Sequence, residues 1–409
     1  MKILIHTLIF SPDGVSTAYL YNDIAQALKE RGHEVVVVTT TPHFNAIPQQ
    51  VAAQPLHWKV PGLYKVSDYK GIRVYHVPQK KFRGTLLRAI GFLYWHLVSF
   101  FLILAQRRVD VILSPSPPLT VGQLNLWLGR LKHCRVIYNV QEIYPDLLGR
   151  DSGLVWRILS RMERRVYAKS DAVTTIDAVF HDTIAPRFKD PSRLHVIPNF
   201  VDTELYRPGT GHADLDPALF PETSTLRLLY AGNIGLLQDW EPLVELARAV
   251  REQDISFFVI GEGARKPYLE ACVQKYDLQN LHILPYQPRE LMPQILDYSD
   301  LQFIFMRPDS DGHGFPSKVY TVMACARPLL VCSGEGTPLV NFLAGKGCAR
   351  LVTARDLQTK VAQMADWLKT VTRGTLREMG GKGIEEVRRN YSREVVTGQY
   401  IALIESLQR

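Results

Sequence analysis

A chain of 409 residues is too long for one ordinary hydrophobic core, and 46% hydrophobic with 22% charged residues excludes a disordered or fibrous class. The net charge of +8 is concentrated: residues 80–165 hold 14 Lys and Arg against 5 Asp and Glu, and the remainder is close to neutral. Five scattered cysteines without a C-x-x-C pair argue against a disulfide frame or a zinc site, and for reduced thiols in a cytosol.

In chain order, Lys2 to Ile9 reads as an apolar strand, with no signal peptide before it. The turn SPDGVST places Gly14 before an expected N-cap at Ser16. Leu20, Ile24, Ala27 and Leu28 then mark one helical face, Gly32 stops the helix, and Glu34 to Thr39 returns as a strand. This βαβ start lacks G-x-G-x-x-G, so the phosphate-cradling fingerprint of nicotinamide and flavin binding is missing. Segment 82–108 follows, an apolar run from Gly91 to Ala105 flanked by basic residues. At 15 residues the run falls short of the roughly 20 needed to cross a bilayer. It reads either as a helix of the first domain's core or as one lying in the lipid headgroup region, with Tyr94 and Trp95 near anionic lipid. The apolar character of nearly every face favours the second. A nucleic-acid partner is not expected, because the basic stretch is aliphatic and lacks recognition motifs.

The run CRVIYNVQEIYPD (Cys134 to Asp146) sets Gln141 and Glu142 directly after a β-rich segment, where a loop facing a cleft should begin. Pro198, Asn199 and Pro208 mark a domain boundary, and Gly209 to Ser224 reads as an exposed loop. Beyond it, three strand-to-helix units recur: Leu226 to Ala231 turning through Gly232-Asn233-Ile234-Gly235 towards a helix near Asp239; FFVIGEGARKPYLE with Gly261 and Gly263; and LHILPYQPREL with Pro285, Tyr286 and Pro288. Such alternation is the signature of a parallel sheet wound on both faces, whose ligands sit at the strands' carboxyl ends.

The most informative stretch is GFPSKVYTVMACARPLLV (Gly314 to Val331). Pro316 ends what precedes it, Ser317 is an expected N-cap, and Lys318 opens a helix with Val319, Val322, Met323 and Ala326 at helical spacing. The helix should end near Arg327-Pro328, and Leu329 to Cys332 reads as a buried parallel strand. Unpartnered amides, the dipole and the Lys318 charge together suit a phosphate; an ordinary βα unit with a solvated lysine is the other reading.

Five segments, VIPNFVDTELYRP, AGNIGLLQDW, VIGEGARKPYLE, ILPYQPREL and FPSKVYTVMACARPLLV, occur in the order and spacing of family 4 of the retaining glycosyltransferases. The resemblance covers nearly the whole chain and is nearest to the bacterial surface-polysaccharide branch with its fucosamine-type transferases. It implies an α/β fold of GT-B type, two Rossmann-like doubly wound domains facing a cleft. The expected domains are 1–200 on the acceptor side, 201–385 holding a sugar nucleotide, and a terminal helix within 386–409 crossing back to the first. By resemblance the catalytic candidates are Lys318, Glu142 and Gln141. The donor-binding candidates are Gly14, Asn233, Gly235, Gln238, Tyr286, Phe315, Pro316, Ser317 and Thr321. Gly14 serves equally as a turn glycine, and Glu142 equally as a loop carboxylate paired with an arginine.

The chain departs from the family pattern where two glutamates are usual, at His313 and Thr321, and where an arginine and a lysine hold the diphosphate, at Asn233 and Gln238. Asn and Gln donate hydrogen bonds but carry no net charge. The expectation is a retaining transferase moving an N-acetylated amino sugar from a UDP-sugar to a lipid-linked saccharide at an anionic membrane surface. It would be cytoplasmic and peripheral on the inner face of the plasma membrane, with no tightly bound cofactor and no metal. An NDP-sugar 2-epimerase and a non-catalytic partner are the alternatives.

Overall fold

The computed structural model describes residues 1–79, 84–143, 153–188, 190–309 and 315–408. The chain divides into two compact units: unit 1 comprises Met1–Asn199 and Glu394–Arg409, and unit 2 comprises Phe200–Arg393.

Unit 1 is built on β1 (Lys2–His6), α1 (Ser16–Glu30), β2 (Glu34–Thr40), α2 (Pro48–Ala53), β3 (His57–Val60), β4 (Tyr64–Tyr69), β5 (Ile72–Val77), α3 (Thr85–Ala105), β6 (Val111–Pro115), α4 (Leu119–Lys132), β7 (Arg135–Val140), α5 (Leu154–Lys169), β8 (Ala172–Thr175), α6 (Ala178–Ile184) and β9 (Leu194–Val196). The described strands form one sheet in the order β3-β4-β5-β2-β1-β6-β7-β8-β9. Pairing is parallel from β5 to β9 and antiparallel in the β3-β4-β5 meander. Strands β1, β6 and β7 are almost wholly buried, the mark of a sheet covered on both faces.

Three local readings of the sequence are corrected here. Strand β1 stops at His6, because the Thr7 hydroxyl turns the chain by donating to the Ile9 carbonyl (3.0 Å). Ser16 does not cap α1: Val15 holds the N-cap position in extended conformation and no side chain caps the helix. The buried face of α1 carries Tyr21 and Asn22 rather than Leu20 and Ala27, since both polar groups have work inside. The Asn22 side chain accepts the Ser11 N–H (3.0 Å), and the Tyr21 hydroxyl donates to Asn139.

Unit 2 contains β10 (Leu226–Ala231), α7 (Glu241–Ala249), β11 (Ile255–Ile260), α8 (Lys266–Tyr276), β12 (Leu281–Leu284), α9 (Met292–Tyr298), β13 (Leu301–Phe305), α10 (Lys318–Ala324), β14 (Leu329–Cys332), α11 (Pro338–Leu343), β15 (Ala349–Val352), α12 (Leu357–Thr370) and α13 (Arg373–Asn390). Its described strands pair in parallel in the order β12-β11-β10-β13-β14-β15, so the chain starts in the middle and winds both ways. The expected strands Leu226 to Ala231 and Leu329 to Cys332 are observed with those bounds. Gly209 to Ser224 is not simply exposed, because Leu215 and Phe220 are buried against Leu229, Phe258 and Tyr298.

A final helix, α14 (Arg393–Ser406), supplies the rest of unit 1. Its Tyr400 is buried and its hydroxyl accepts a hydrogen bond from the Asn139 amide (2.9 Å).

Candidate active site

The corner of unit 2 at the carboxyl end of β10 gathers most of the expected donor-binding residues. After Ala231 the chain passes Gly232 (φ +146°), and after β11 it passes Gly261 (φ +143°) and Gly263 (φ +157°), backbone that L side chains rarely adopt. Close approach adds to the demand. A Cβ on Gly261 would lie 2.0 Å from the Gly232 carbonyl oxygen, and one on Gly263 would lie 2.3 Å from that of Ile234. The two turns are stitched by the Gly232 N–H to Ile260 (2.9 Å), the Ile234 N–H to Glu262 (2.8 Å) and the Arg265 N–H to Ile234 (2.9 Å).

Asn233, Gly235 and Gln238 sit together in this turn. The Gln238 side-chain oxygen accepts the Gly235 N–H (3.2 Å), the Trp240 indole donates to the Gly235 carbonyl (2.9 Å), and the Tyr230 hydroxyl donates to the Asn233 carbonyl (2.8 Å). Gln238 thus has its oxygen engaged in shaping the loop.

Lys318 reaches back into the same corner. Its ammonium donates to the Ala231 carbonyl (3.0 Å) and lies 3.5 Å from the centroid of the Tyr230 ring. A Cβ on Gly232 would come within 2.7 Å of its Nζ, so the glycine also clears the path of the lysine. The residue is half-buried, but the ammonium is enclosed, and desolvation lowers its pKa to about 7. Among the described residues no carboxylate forms an ion pair with it. Sequence reasoning missed Tyr230 and the Ala231 carbonyl as its partners. The strand YA before the glycine was visible, but that the Lys318 side chain reaches the end of β10 is a fact of tertiary structure.

The segment before α10 corrects part of the sequence reading. Ser317 holds the N-cap position in αR conformation, makes no side-chain cap and is exposed. The amides of the first turn are not all bare: the Val319 N–H donates to Pro316 (3.0 Å) and the Tyr320 N–H to Ser317 (3.2 Å). Phe315 packs on Tyr320 and Phe342, with ring centroids 5.3 Å and 4.9 Å away, and so anchors Pro316 and Ser317. Thr321 lies one turn beyond Lys318, half-buried, and its carbonyl accepts the Cys325 N–H (3.2 Å). Tyr286 is 60% exposed after β12, and no described contact ties it to Lys318. His313 lies outside the described residues, as do Lys80 to Arg83 and Tyr144 to Asp146.

The helix ends at Ala324, with Ala326 at φ +53°. The Arg327 N–H to Val322 (3.1 Å) and the Ala326 N–H to Met323 (3.0 Å) close a Schellman turn.

In unit 1, Gly14 donates its N–H to the Asn45 carbonyl (2.9 Å), and a Cβ there would lie 2.4 Å from the Ile47 side chain. The same loop is held by the buried Asp13 carboxylate, which accepts the N–H groups of His43 (3.0 Å), Phe44 (2.9 Å) and Asn45 (2.6 Å). Tight packing in this turn favours glycine at position 14, and no described contact tests its expected place beside a donor. Gln141 donates to Asn139 (2.8 Å) and Asn199 (3.1 Å) and accepts from the Asn199 amide (3.0 Å), a paired amide contact that fixes the start of the loop. Glu142 is exposed, its backbone held by the Ser116 hydroxyl, and partial desolvation lifts its carboxyl above the usual range. It has no arginine partner among the described residues. Nor do any three described His, Cys, Asp or Glu side chains come together as a metal ligand set.

The comparisons with known proteins divide the chain at the same place. Residues 17–199 match the glycosyl transferase 4-like domain, and residues 225–370 match the glycosyl transferases group 1 domain. WcaI of Escherichia coli K12, whose name assigns it to colanic acid biosynthesis as a glycosyl transferase, is 25% identical over 83% of this chain and 85% of its own length. WbjE of Pseudomonas aeruginosa, named as a glycosyltransferase, is 24% identical over 76% and 78%. Among solved structures, HepE of Anabaena in complex with UDP superposes with a TM-score of 0.73 at 12% identity, covering 99% of this chain and 100% of that one. An Escherichia coli protein solved with UDP-2-fluoro glucose, titled trehalose-6-phosphate, gives 0.74 at 12% identity over 99% of each chain.

The two α/β units are those of the GT-B fold. The chain joins a glycosyl transferase 4-like domain to a group 1 domain, and the protein is a glycosyltransferase.

Proposed function

We propose that the protein is a retaining transferase that moves an N-acetylated amino sugar from a UDP-sugar to a lipid-linked saccharide in surface-polysaccharide assembly, at the cytoplasmic face of the membrane. The observation that carries the donor reading is the enclosed ammonium of Lys318, without a carboxylate partner among the described residues, beside the glycine turns after β10 and β11. Enclosing a cation is costly, and a diphosphate would supply compensating negative charge. The UDP in the HepE complex and the UDP-sugar analogue in the second solved relative support the nucleotide, and the colanic acid role in WcaI's name supports the polysaccharide setting.

In this reading Lys318 and the turn amide at Asn233 hold the diphosphate and stabilise the charge that grows on it as the glycosidic bond breaks, while Gly235, whose N–H is taken by Gln238, shapes the turn. The departing phosphate takes the acceptor hydroxyl's proton, so the protein supplies position and charge rather than a strong base. Glu142, exposed, with a raised pKa and no ion-pair partner among the described residues, is the candidate for orienting a sugar hydroxyl. Gln141 acts by fixing the loop that carries it. Incubation with a panel of UDP-sugars and polyprenyl-diphosphate saccharides is expected to yield a lengthened lipid-linked product. Background hydrolysis alone across that panel would count against the reading.

A further inference from the structure

Helix α3 differs from its sequence reading in a way that defines a surface. The helix extends beyond the apolar run Gly91 to Ala105, from Thr85 to Ala105, and at 21 residues is long enough to cross a bilayer, so the argument from length falls away. Burial replaces it. Trp95 and Ile103 are fully buried against β2, β5 and α4, with Val98 and Leu102 nearly so, which ties that side of the helix into the core of unit 1. The opposite side carries Leu86, Ile90, Leu93, Leu97, Phe101 and Leu104 at helical spacing, all exposed, Leu93 by 70%.

The face continues onto the neighbouring helices. Helix α4, packed between α3 and α5, exposes Trp127 and Leu131, and the start of α5 exposes Leu154, Val155 and Ile158. Along α5 the stripe of Leu154 and Ile158 passes into Arg161, Arg165 and Lys169, all exposed. No acidic residue occurs in α3 or α4, and the one in α5, Glu163, is buried and paired with Arg187 (2.7 Å). At the other edge, the Tyr94 hydroxyl donates to Gly62 in the β3–β4 turn, where Leu63 is exposed, as is Trp58 on β3, with the Lys65 ammonium 4.9 Å from the Trp58 ring.

We infer that α3, α4 and α5 form a docking surface for a bilayer containing anionic phospholipid, with α3 lying in the plane of the headgroups rather than spanning. The apolar stripe fits the acyl boundary, the aromatic residues fit its margin, and the arginines fit lipid phosphate. A second copy of this chain fits less well, because apposing two such faces would set arginine against arginine. The inference deepens the lipid-linked acceptor reading by naming the surface that brings the enzyme to that acceptor.

Sedimentation of the full chain with phosphatidylcholine vesicles, with and without phosphatidylglycerol, tests it without donor or acceptor. The native protein is expected to bind the anionic vesicles. The combined Leu93→Ser, Leu97→Ser and Phe101→Ser variant should lose at least about tenfold in partitioning, and Arg161→Gln with Arg165→Gln should weaken binding to anionic vesicles only. All five positions are exposed, so melting temperatures should hold. Failure of the native protein to bind, or equal binding by the triple variant, would overturn the inference; so would a concentration-dependent dimer abolished by that variant without vesicle binding. UDP-sugar binding measured on the same samples keeps the two readings apart: vesicle failure with intact UDP-sugar binding sinks the surface alone, and the converse sinks the donor alone.

Discussion

The two units share a plan of parallel strands and covering helices, yet spend their surfaces differently. Of the exposed large apolar residues described, only Leu205, Leu236, Leu237 and Tyr286 lie in unit 2, while α3, α4 and α5 of unit 1 expose a continuous face of them. Unit 2 instead invests in backbone, with three glycines at positive φ and one enclosed ammonium at the end of its central strands. One architecture thus presents two different surfaces, a polar corner made of main chain and an apolar face made of side chains.

Substitutions confined to one unit should break the comparison in order of severity. Gly261→Val is expected to act most strongly, because its side chain would start 2.0 Å from the Gly232 oxygen on backbone suited to glycine. A loss of about 3 kcal/mol or more in a denaturant melt, with UDP-sugar binding abolished and native-like circular dichroism in unit 1's contribution, is the result to look for. Lys318→Ala should weaken UDP-sugar binding by about 10- to 100-fold in calorimetry, the range of a charge-assisted hydrogen bond, and leave vesicle partitioning unchanged. UDP-sugar affinity unaltered by that change would remove Lys318 from the site.

A pH series sharpens the same point. Burial holds the free Lys318 pKa near 7, and an anion favours the protonated form, so above about pH 7 binding must also take up a proton. Affinity for a UDP-sugar should therefore fall as pH rises from 7 to 9 by up to about tenfold per unit, and the slope should vanish in Lys318→Ala. The stability effect has the opposite sign. The folded pKa is depressed below that of the unfolded chain, so the penalty for enclosing this group is largest below pH 7 and relaxes as pH rises. The smallest effect is expected for Gln141→Ala, about 1 kcal/mol of stability from the lost amide pair with Asn199, read by thermal melting, with UDP-sugar affinity unchanged.

Strands and turns were largely legible in the sequence, because the apolar runs Leu226 to Ala231 and Leu329 to Cys332 are bounded by residues that cannot continue them: Gly232 at +146°, and Pro328. Caps were less legible. Ser16 and Ser317 are favourable types at plausible places, yet neither caps, since the chain satisfies those first turns with backbone and packing instead. Least legible was anything set by strand order. That Lys318 would meet Tyr230 depends on β13 lying between β10 and β14, and that α3 has one buried and one bare side depends on what it is laid against. Composition alone makes α3 look uniform, because Trp95 inside and Leu93 outside are both apolar.

The place of α14 has a consequence for how the molecule is made. Unit 1 is synthesised first, but Asn139 in β7 waits for the Tyr400 hydroxyl, and Arg31 and His33 wait for Glu405. On the ribosome unit 2 can complete its sheet before unit 1 has its last helix, so the order of emergence and the order of final consolidation are reversed. A chain cut before Glu394 should keep the folding cooperativity of unit 2 and leave unit 1 to chaperones.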